Sequence, residues 1–172
     1  MKNPDRIITE TARLILRLPT SSDVASTLAI YSDPQVMEYI DSDRPFEKID
    51  EAARSIERGL AHFEKHGVCY SAVIEKATGR HVGYCGFNVF EDGPDLELVF
   101  HFHRACWGRG YATEAARACI EYAFGALDAH RVVALTDPRN AASIRVLEKL
   151  GFTFIRDLIE SGQLLRLFEL TH

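Results

Sequence analysis

The sequence predicts a mixed α/β domain in which helices flank one central sheet. The chain has 172 residues, which is enough for one hydrophobic core and short for two domains. Hydrophobic residues make up 47% of it and charged residues 26%, the composition of a folded protein. Runs with strand character alternate with runs of helical periodicity in the order β-α-α-β-β-β-α-β-α-β-β, with no internal repeat or flexible linker. We therefore expect seven strands and four helices in a single domain over residues 1–172.

The first two predicted elements are a strand and a short helix. Residues 13–17, RLILR, have the apolar character of a strand. Residues 20–34 predict a short helix, because Thr20 or Ser22 can cap it and Pro34 can stop it.

A longer helix and three hairpin strands come next. Over residues 49–67, apolar side chains recur every three or four positions, and Gly67 suits the position after the last turn. Runs with β character follow at 68–75, 80–90 and 95–102, separated by the turn sequences KATG and EDGP. These runs predict three antiparallel strands joined by hairpins.

The second half of the chain alternates helices with strands. An alanine-rich helix begins near residue 111, and its predicted buried face consists of Ala112, Ala115, Ala116, Cys119, Ile120 and Ala123. A short apolar strand at 130–136 and a helix at 140–151 follow. Residues 152–160 and 163–171 predict a final hairpin.

A glycine loop stands at the mouth of the alanine-rich helix. Gly108 and Gly110 flank Arg109 in the stretch CWGRGYATEA, residues 106–115. Glycines permit backbone conformations that aim several N–H groups at one point, and the helix adds its own unpaired N–H groups and positive dipole end. The loop therefore predicts a site for a phosphate or pyrophosphate.

Composition argues against several other classes of function. The net charge is −5 and no dense Lys/Arg run occurs, so a nucleic-acid surface is not expected. No apolar run approaches the ~20 residues that span a bilayer, and residues 1–18 lack the apolar segment of a signal peptide. No C-x-x-C motif occurs, so we expect free thiols in a reducing cytoplasm at Cys69, Cys85, Cys106 and Cys119.

Four motifs in sequence order resemble the GNAT superfamily of acetyl-CoA-dependent N-acyltransferases. They are ELVFHF at 97–102, WGRGYATEA at 107–115, VVALTDP at 132–138 and NAASIRVLEKLGF at 140–152. The branch that includes the RimJ and RimL ribosomal-protein N-terminal acetyltransferases is the most similar, and the element order matches from about Arg13 to Leu170. The resemblance implies a mixed, mostly antiparallel, splayed sheet and acetyl-CoA as cosubstrate, without a metal.

The resemblance assigns the glycine loop to the pyrophosphate of coenzyme A. The implied contacts come from Trp107, Gly108, Arg109, Gly110, Tyr111, Ala112 and Thr113. Tryptophan stands where the family usually has Gln or Arg, and we expect the Trp107 side chain to pack at the base of the loop. Arg109 either adds a charge-assisted contact to a phosphate or remains a solvated surface arginine.

The pantetheine arm of coenzyme A is assigned to two further segments. By analogy with the family, main-chain groups of Phe100, His101 and Phe102 pair with its amides as another strand would. Asn140 can cap the helix after it, and the resemblance implies that it also bonds the pantetheine. His101 and His103 share a strand face and could both bind a metal ion, but no third ligand is evident in the sequence.

Acetyl transfer to an amine needs a base, and Glu97 is the first candidate. Strand alternation puts its side chain on the same face as that of His101, which is the second candidate because imidazole titrates near neutral pH. A purely structural glutamate at a strand start remains the alternative. Ser143 is the candidate that returns a proton to the thiolate. Leu147 stands where many GNAT enzymes have a tyrosine acid, which leaves Ser143, an ordered water or no acid at all.

The expected function is direct attack of a primary amine on acetyl-CoA, with a peptide N-terminus as the acceptor. A small-molecule amine (polyamine, amino acid or antibiotic) and a non-catalytic acyl-CoA-binding module are the alternatives. A dinucleotide-binding domain is disfavoured because Thr113 occupies the third glycine position of its motif. We expect a monomer or homodimer, and the predicted acceptor groove contains Tyr31, Tyr39, Asp41, Asp43 and Phe46.

Overall fold

A computed structural model describes residues 6–40, 44–91 and 93–172. Within them, eight strands form one sheet: β1 (Ile7–Glu10), β2 (Leu14–Arg17), β3 (Tyr70–Glu75), β4 (His81–Val89), β5 (Leu96–Phe102), β6 (Arg131–Thr136), β7 (Thr153–Glu160) and β8 (Gln163–Thr171). Five α-helices accompany them: α1 (Val24–Tyr31), α2 (Pro34–Met37), α3 (Ile49–His66), α4 (Tyr111–Ala126) and α5 (Ala141–Lys149). Asp41 and Asp43 of the predicted acceptor groove, and Asp92 of the EDGP turn, lie outside the described residues.

The predicted class of fold is confirmed, with one strand and one helix more than the sequence analysis anticipated. β1 precedes the strand expected to be first and pairs antiparallel with β2 at the sheet edge, with an irregular register between Ile7 and Thr9. It is four residues long and both of its end residues are exposed, so it carries little hydrophobic signal. α2 is a single turn. The preceding helix, α1, ends at Tyr31, before Pro34 as expected, and Pro34 then begins α2 after the Asp33 cap.

The long helix and the three hairpin strands were predicted closely. α3 ends at His66, and Gly67 follows with φ 77° in the left-handed region. β3, β4 and β5 pair antiparallel in sequence order. The local periodicity and turn chemistry therefore determine this central part of the sheet.

The sheet is splayed between β5 and β6. The strand order is β1-β2-β3-β4-β5-β6-β8-β7, and only β5 and β6 run parallel. Their register holds for two pairs, Leu96–Val132 and Glu97–Val133, although β5 continues to Phe102 and β6 to Thr136. The two strands therefore diverge after the Glu97–Val133 pair and leave a V-shaped gap between them. This last pair is the vertex of the gap.

Helices cover both faces of the sheet. On one face, α4 packs on a large apolar core through a buried stripe that includes Ala115, Ala116, Cys119, Ile120 and Ala123, as predicted. Ala112 is only partly buried at the edge of this core. On the other face, α1 and α2 bury a second cluster that contains Tyr31 and Tyr84. No helix among the described residues is long and apolar enough to cross a membrane.

Candidate active site

The glycine loop at the open end of the gap presents unpaired N–H groups. Gly108 and Gly110 have φ values of 74° and 79°, in the left-handed region that residues with a Cβ rarely adopt. Within the described part of the chain, the main-chain N–H groups of residues 108–113 donate to no protein oxygen; the first such bond in α4 runs from Glu114 to Gly110, at 3.1 Å. Six consecutive donors at a helix start are thus left without a protein acceptor, as at helix N-termini that bind anions.

The Arg109 side chain contacts the end of β3 and the first residue of α4. Its guanidinium lies 3.2 Å from the Glu75 carboxylate and 4.9 Å from the centre of the Tyr111 ring. The buried Tyr111 hydroxyl donates to the same carboxylate. Hydrogen bonds from Thr78 and Tyr111 lower the pKa of Glu75, so this residue is an anion at neutral pH. Arg109 is therefore half exposed but already ion-paired.

Trp107, which was expected to pack at the base of the loop, has a polar contact there. Its side chain is half exposed, and its indole N–H donates to the main-chain oxygen of Phe102 at 2.9 Å. This bond fastens the start of the loop to the last residue of β5, so the tryptophan acts through its polar edge as well as its apolar ring.

The edge of β5 that faces the gap offers main-chain groups. The His103 N–H donates to Val82 of β4 at 2.9 Å, and antiparallel pairs alternate, so the main-chain groups of His101 also face β4. Those of Phe100 and Phe102 then face the gap. Of the three residues expected to pair with the pantetheine through their main chains, only these two therefore face the gap. The Phe102 oxygen already accepts a hydrogen bond from Trp107.

Glu97 lies at the vertex of the gap, in a short polar chain. Asn88, its partner across β4 and β5, donates from Nδ2 to the Glu97 carboxylate at 3.4 Å and to the Tyr70 hydroxyl at 2.6 Å. Burial raises the pKa of Glu97, the Asn88 hydrogen bond lowers it, and the charge of Glu160 raises it; the net direction is upward. The carboxylate is therefore a stronger base than an ordinary glutamate.

His101, four residues further along β5, is partly buried and contacts two aromatic rings. The ring centres of Tyr31 and Tyr70 lie 5.7 and 6.3 Å from that of its imidazole, and its Nδ1 is 3.1 Å from the Tyr31 hydroxyl. Burial lowers the pKa of His101 to about 4, so the imidazole is neutral and weakly basic. His103 instead accepts from the Ala105 N–H at 3.2 Å. Residues 6–40, 44–91 and 93–172 hold no group of three metal-ligating side chains.

The start of α5 lies after the strand on the other side of the gap. Asn140 is the cap of this helix, and its Oδ1 accepts from the Ser143 N–H at 3.1 Å. Ser143 is partly buried in the first turn. Leu147, at the position of the family's tyrosine, is 1% exposed within the core under α4. Its side chain is therefore directed to packing and not to the gap.

Part of the predicted acceptor groove is aromatic. Tyr31 and Phe46 are in ring contact, with centres 5.2 Å apart. The Arg139 guanidinium lies 5.7 Å from the centre of the Tyr39 ring, and it pairs with the buried Asp137 at 2.7 Å. These contacts join the segment after α2 to the loop between β6 and α5.

Sequence reasoning missed several side chains around the site. Arg13, Glu75 and Glu114 surround the glycine loop, and Tyr70 and Asn88 flank Glu97. The Asn88–Glu97 pair is the one that hairpin alternation could have revealed, because the two residues oppose each other across β4 and β5. The others are brought together from distant parts of the chain.

The splayed sheet, the loop of free N–H groups and the carboxylate at the vertex together have the form of an acyltransferase domain. The model of the acetyltransferase (GNAT) domain matches residues 13–153. The chain therefore belongs to the GNAT acetyltransferase family, whose members transfer an acetyl group from acetyl-CoA.

Similar proteins agree with this assignment. The chain is 33% identical over 163 residues to the uncharacterized protein YkkB of Bacillus subtilis, covering 92% of each chain. It is 31% identical over 144 residues to the uncharacterized N-acetyltransferase p20 of Bacillus licheniformis, covering 83% of this chain and 80% of p20. Its fold matches the structure of RimL, a ribosomal L7/L12 alpha-N-protein acetyltransferase in complex with coenzyme A, with a TM-score of 0.84 at 15% identity, over 96% of this chain and 98% of that one.

Proposed function

We propose that this acetyltransferase acts on a primary amine, with a peptide N-terminus as its acceptor and Glu97 as its base. The observation that carries the proposal is the position of Glu97, which lies at the vertex of the gap and whose carboxyl group has a raised pKa. In this reading the gap holds the pantetheine arm and the glycine loop holds the pyrophosphate of acetyl-CoA.

The glycine loop fits a pyrophosphate by the chemistry of its donors. Residues 108–113 offer six N–H groups without a protein acceptor at the positive end of α4, and the two carboxylates beside the loop, Glu75 and Glu114, are each already paired with an arginine. The free main-chain edge of Phe100 and the Phe102 N–H suit the pantetheine amides. Asn140 is the further candidate for this arm, and its capping role leaves its amide N–H₂ for a ligand.

The proposed reaction consists of one attack and three proton transfers. Glu97 takes one proton from the ammonium, and the neutral amine attacks the thioester carbonyl. The carbon–sulfur bond then breaks, and the leaving thiolate takes the second amine proton through Ser143 or solvent. Glu97 finally releases its proton to solvent, which restores the base. Glu97 is preferred over His101 because the lowered pKa of that imidazole leaves it little affinity for a proton.

The acceptor side of the proposal rests on two features. The face that carries Glu97 also carries the rings of Tyr31 and Tyr70, and Glu160 lies near enough to raise the pKa of Glu97. Carboxylates and aromatic faces both attract an ammonium group. The fold shared with RimL makes a peptide N-terminus the acceptor to test first, as an analogy between folds.

A cytoplasmic location is the matching proposal for the cell. The four cysteines are free thiols in the structure, and Cys69, Cys85 and Cys119 are buried. Such thiols persist in a reducing compartment.

An acceptor screen tests the proposed function. Free coenzyme A would be measured with acetyl-CoA and peptides of varied N-terminal residue, the same peptides with blocked N-termini, polyamines and aminoglycosides. We expect release with free peptides and none with blocked ones. Release with small amines alone would replace the peptide acceptor, and binding of acetyl-CoA without release by any amine would favour a non-catalytic module.

Removing the Arg109 side chain should weaken acetyl-CoA binding only modestly. Arg109→Ala is expected to cost about 1–2 kcal/mol, the worth of one charge-assisted hydrogen bond, because the loop N–H groups remain. Calorimetric titration with acetyl-CoA measures this cost. A loss as large as that caused by a change in loop backbone would mean that the side chain, and not the main chain, holds the phosphates.

A further inference from the structure

We propose that Arg13 is a positioning residue that holds the glycine loop in its ligand-binding conformation. Arg13 stands just before β2, and Thr11 and Glu114 complete what we call the loop clamp. The inference rests on the proposed function, since it assumes that acetyl-CoA binds at the loop.

The first contacts of the loop clamp are with the loop itself. Arg13 Nη1 donates to the main-chain oxygen of Arg109 at 3.1 Å, and the Arg13 guanidinium lies 4.7 Å from the centre of the Tyr111 ring. A Cβ placed on Gly110 would lie 3.6 Å from Arg13 Nη2. Arg13 thus contacts the loop at the residue between its two glycines and on both sides of Gly110.

The second contacts join Arg13 to the first turn of α4. Arg13 Nε and Nη2 lie 2.6 and 2.5 Å from Glu114 Oε2, and the Arg13 main-chain N–H donates to Oε1 at 3.2 Å. The Thr11 hydroxyl donates to the same Oε1 at 2.5 Å. Burial alone would raise the pKa of Glu114, but the bonds from Thr11 and Arg13 outweigh it and lower the pKa. The carboxylate is therefore a fixed anion at neutral pH.

The loop clamp ties a flexible segment to a rigid one. β2 is paired on both sides, with β1 and β3, and Leu14 and Leu16 are fully buried. The loop has two glycines, whose conformational freedom opposes any single arrangement of its N–H groups. A guanidinium that bonds both the loop and the helix start fixes this arrangement before the ligand arrives, and preorganisation of this kind strengthens binding.

Arg13 and Arg109 are each paired with a carboxylate beside the loop. Arg109 pairs with Glu75 of β3, as Arg13 pairs with Glu114 of α4. Each arginine is therefore matched by a carboxylate, and the cluster of four side chains is neutral overall. Its part is to position the main-chain donors rather than to supply net positive charge.

If the ion pair between Arg13 and Glu114 were purely structural, a different result would be expected. Exposed pairs usually contribute little to stability, and Arg13 is 49% exposed. A structural role alone would move the melting temperature slightly and leave the kinetic constants in place. A positioning role moves the affinity for acetyl-CoA and leaves the chemical step intact.

The experiment compares Arg13→Gln and Arg13→Lys with the control Arg166→Gln. Arg166 resembles Arg13 in having an ion pair, to Asp157 at 3.3 Å, and an aromatic contact, to Phe154, but it lies in the β7–β8 hairpin. The dissociation constant of acetyl-CoA is measured by calorimetry, kcat and both KM values by coenzyme A release, and the melting temperature of each variant by calorimetry.

We expect Arg13→Gln to raise the dissociation constant and KM of acetyl-CoA about tenfold, the effect of losing one charge-assisted interaction. The kcat at saturating acetyl-CoA and the KM of the acceptor should stay within about twofold. Arg13→Lys should fall in between, because it keeps the charge but not the bidentate geometry. Arg166→Gln should change neither the dissociation constant nor the KM of acetyl-CoA.

Three results would overturn the proposal: an unchanged acetyl-CoA affinity in Arg13→Gln, an equal loss in Arg166→Gln, or a fall in kcat at unchanged affinity. If Arg13→Gln unfolds, the Arg13→Lys affinity decides. If acetyl-CoA does not bind at the glycine loop at all, its binding should survive the bulky substitution Gly110→Val. This variant therefore tests the binding site separately from the role of Arg13. A loss with Gly110→Val but none with Arg13→Gln would remove the loop clamp alone.

Discussion

Replacing Glu97 by glutamine is expected to lower kcat by about 10²–10⁴, the usual contribution of a positioned general base. The variant keeps the size of the side chain and its hydrogen-bonding capacity toward Asn88, so it should fold normally. Its affinity for acetyl-CoA should be nearly unchanged, because the expected cofactor contacts lie in the gap beyond Glu97 and in the glycine loop. Steady-state kinetics and calorimetric titration together separate these two effects.

The pH dependence gives an independent readout for Glu97. The base must be ionised to act, so kcat/KM falls as the pH drops through its pKa. Burial, with the charge of Glu160, raises this pKa, so the acidic limb should lie above the range of an ordinary glutamate. This limb should disappear or move in Glu97→Gln.

His101→Gln is the matched control, since His101 lies on the same strand face. We expect it to retain most of the activity, because its imidazole, with a pKa of about 4, is a poor proton acceptor. High activity in Glu97→Gln together with a large loss in His101→Gln would make His101 the base. If neither substitution mattered, proton loss to bulk water and orientation alone would account for catalysis.

Gly110→Val should produce the largest loss of acetyl-CoA binding. Gly110 has φ 79°, and a β-branched residue is strained there by about 1–3 kcal/mol. The loop is expected to relieve this strain by moving, which misdirects its N–H groups and weakens binding by at least about 5- to 150-fold, the equivalent of that free energy. Calorimetric titration with acetyl-CoA measures the loss.

Gly67→Val provides the control for backbone strain alone. Gly67 has φ 77° after α3, and a Cβ there would meet nothing within 4 Å. This variant should lower the melting temperature as Gly110→Val does but bind acetyl-CoA normally. Equal losses of binding in the two variants would attribute the effect to general destabilisation and not to the loop.

Local patterns predicted the elements whose signals are contained in neighbouring residues. The periodicity of α3, the turns between β3, β4 and β5, and the two glycines before α4 each depend on a few adjacent positions. Their agreement with the structure follows from this locality. The Asn140 cap was found in the same way, because a cap and its recipient N–H are three residues apart.

The features that sequence reasoning missed depend on contacts between distant segments. β1 is a strand because β2 lies beside it, and α2 is too short to show a period. The loop clamp joins residues 101 positions apart, Arg13 and Glu114, and no local pattern points from one to the other. Such pairs become visible only once the topology of the sheet is known.

Trp107 and Leu147 show the limit of reasoning from residue type. Tryptophan suggested apolar packing, yet the side chain is half exposed, with its N–H bonded to Phe102, because the end of β5 leaves a carbonyl oxygen free. Leucine at the family's tyrosine position suggested a missing acid, and the structure adds that this side chain is buried in the core. In both cases the surroundings, and not the side chain alone, decide the role.

The place where acetyl-CoA binds is the central claim, and amide NMR tests it most directly. Proton–nitrogen correlation spectra of the labelled protein would be recorded during titration with coenzyme A and, separately, with ADP, which lacks the pantetheine arm. We predict that both ligands shift the amide protons of residues 108–113, which become hydrogen-bonded to the pyrophosphate, and that coenzyme A alone shifts those of Phe100 and Phe102. Saturable shifts elsewhere with residues 108–113 unchanged would contradict the account.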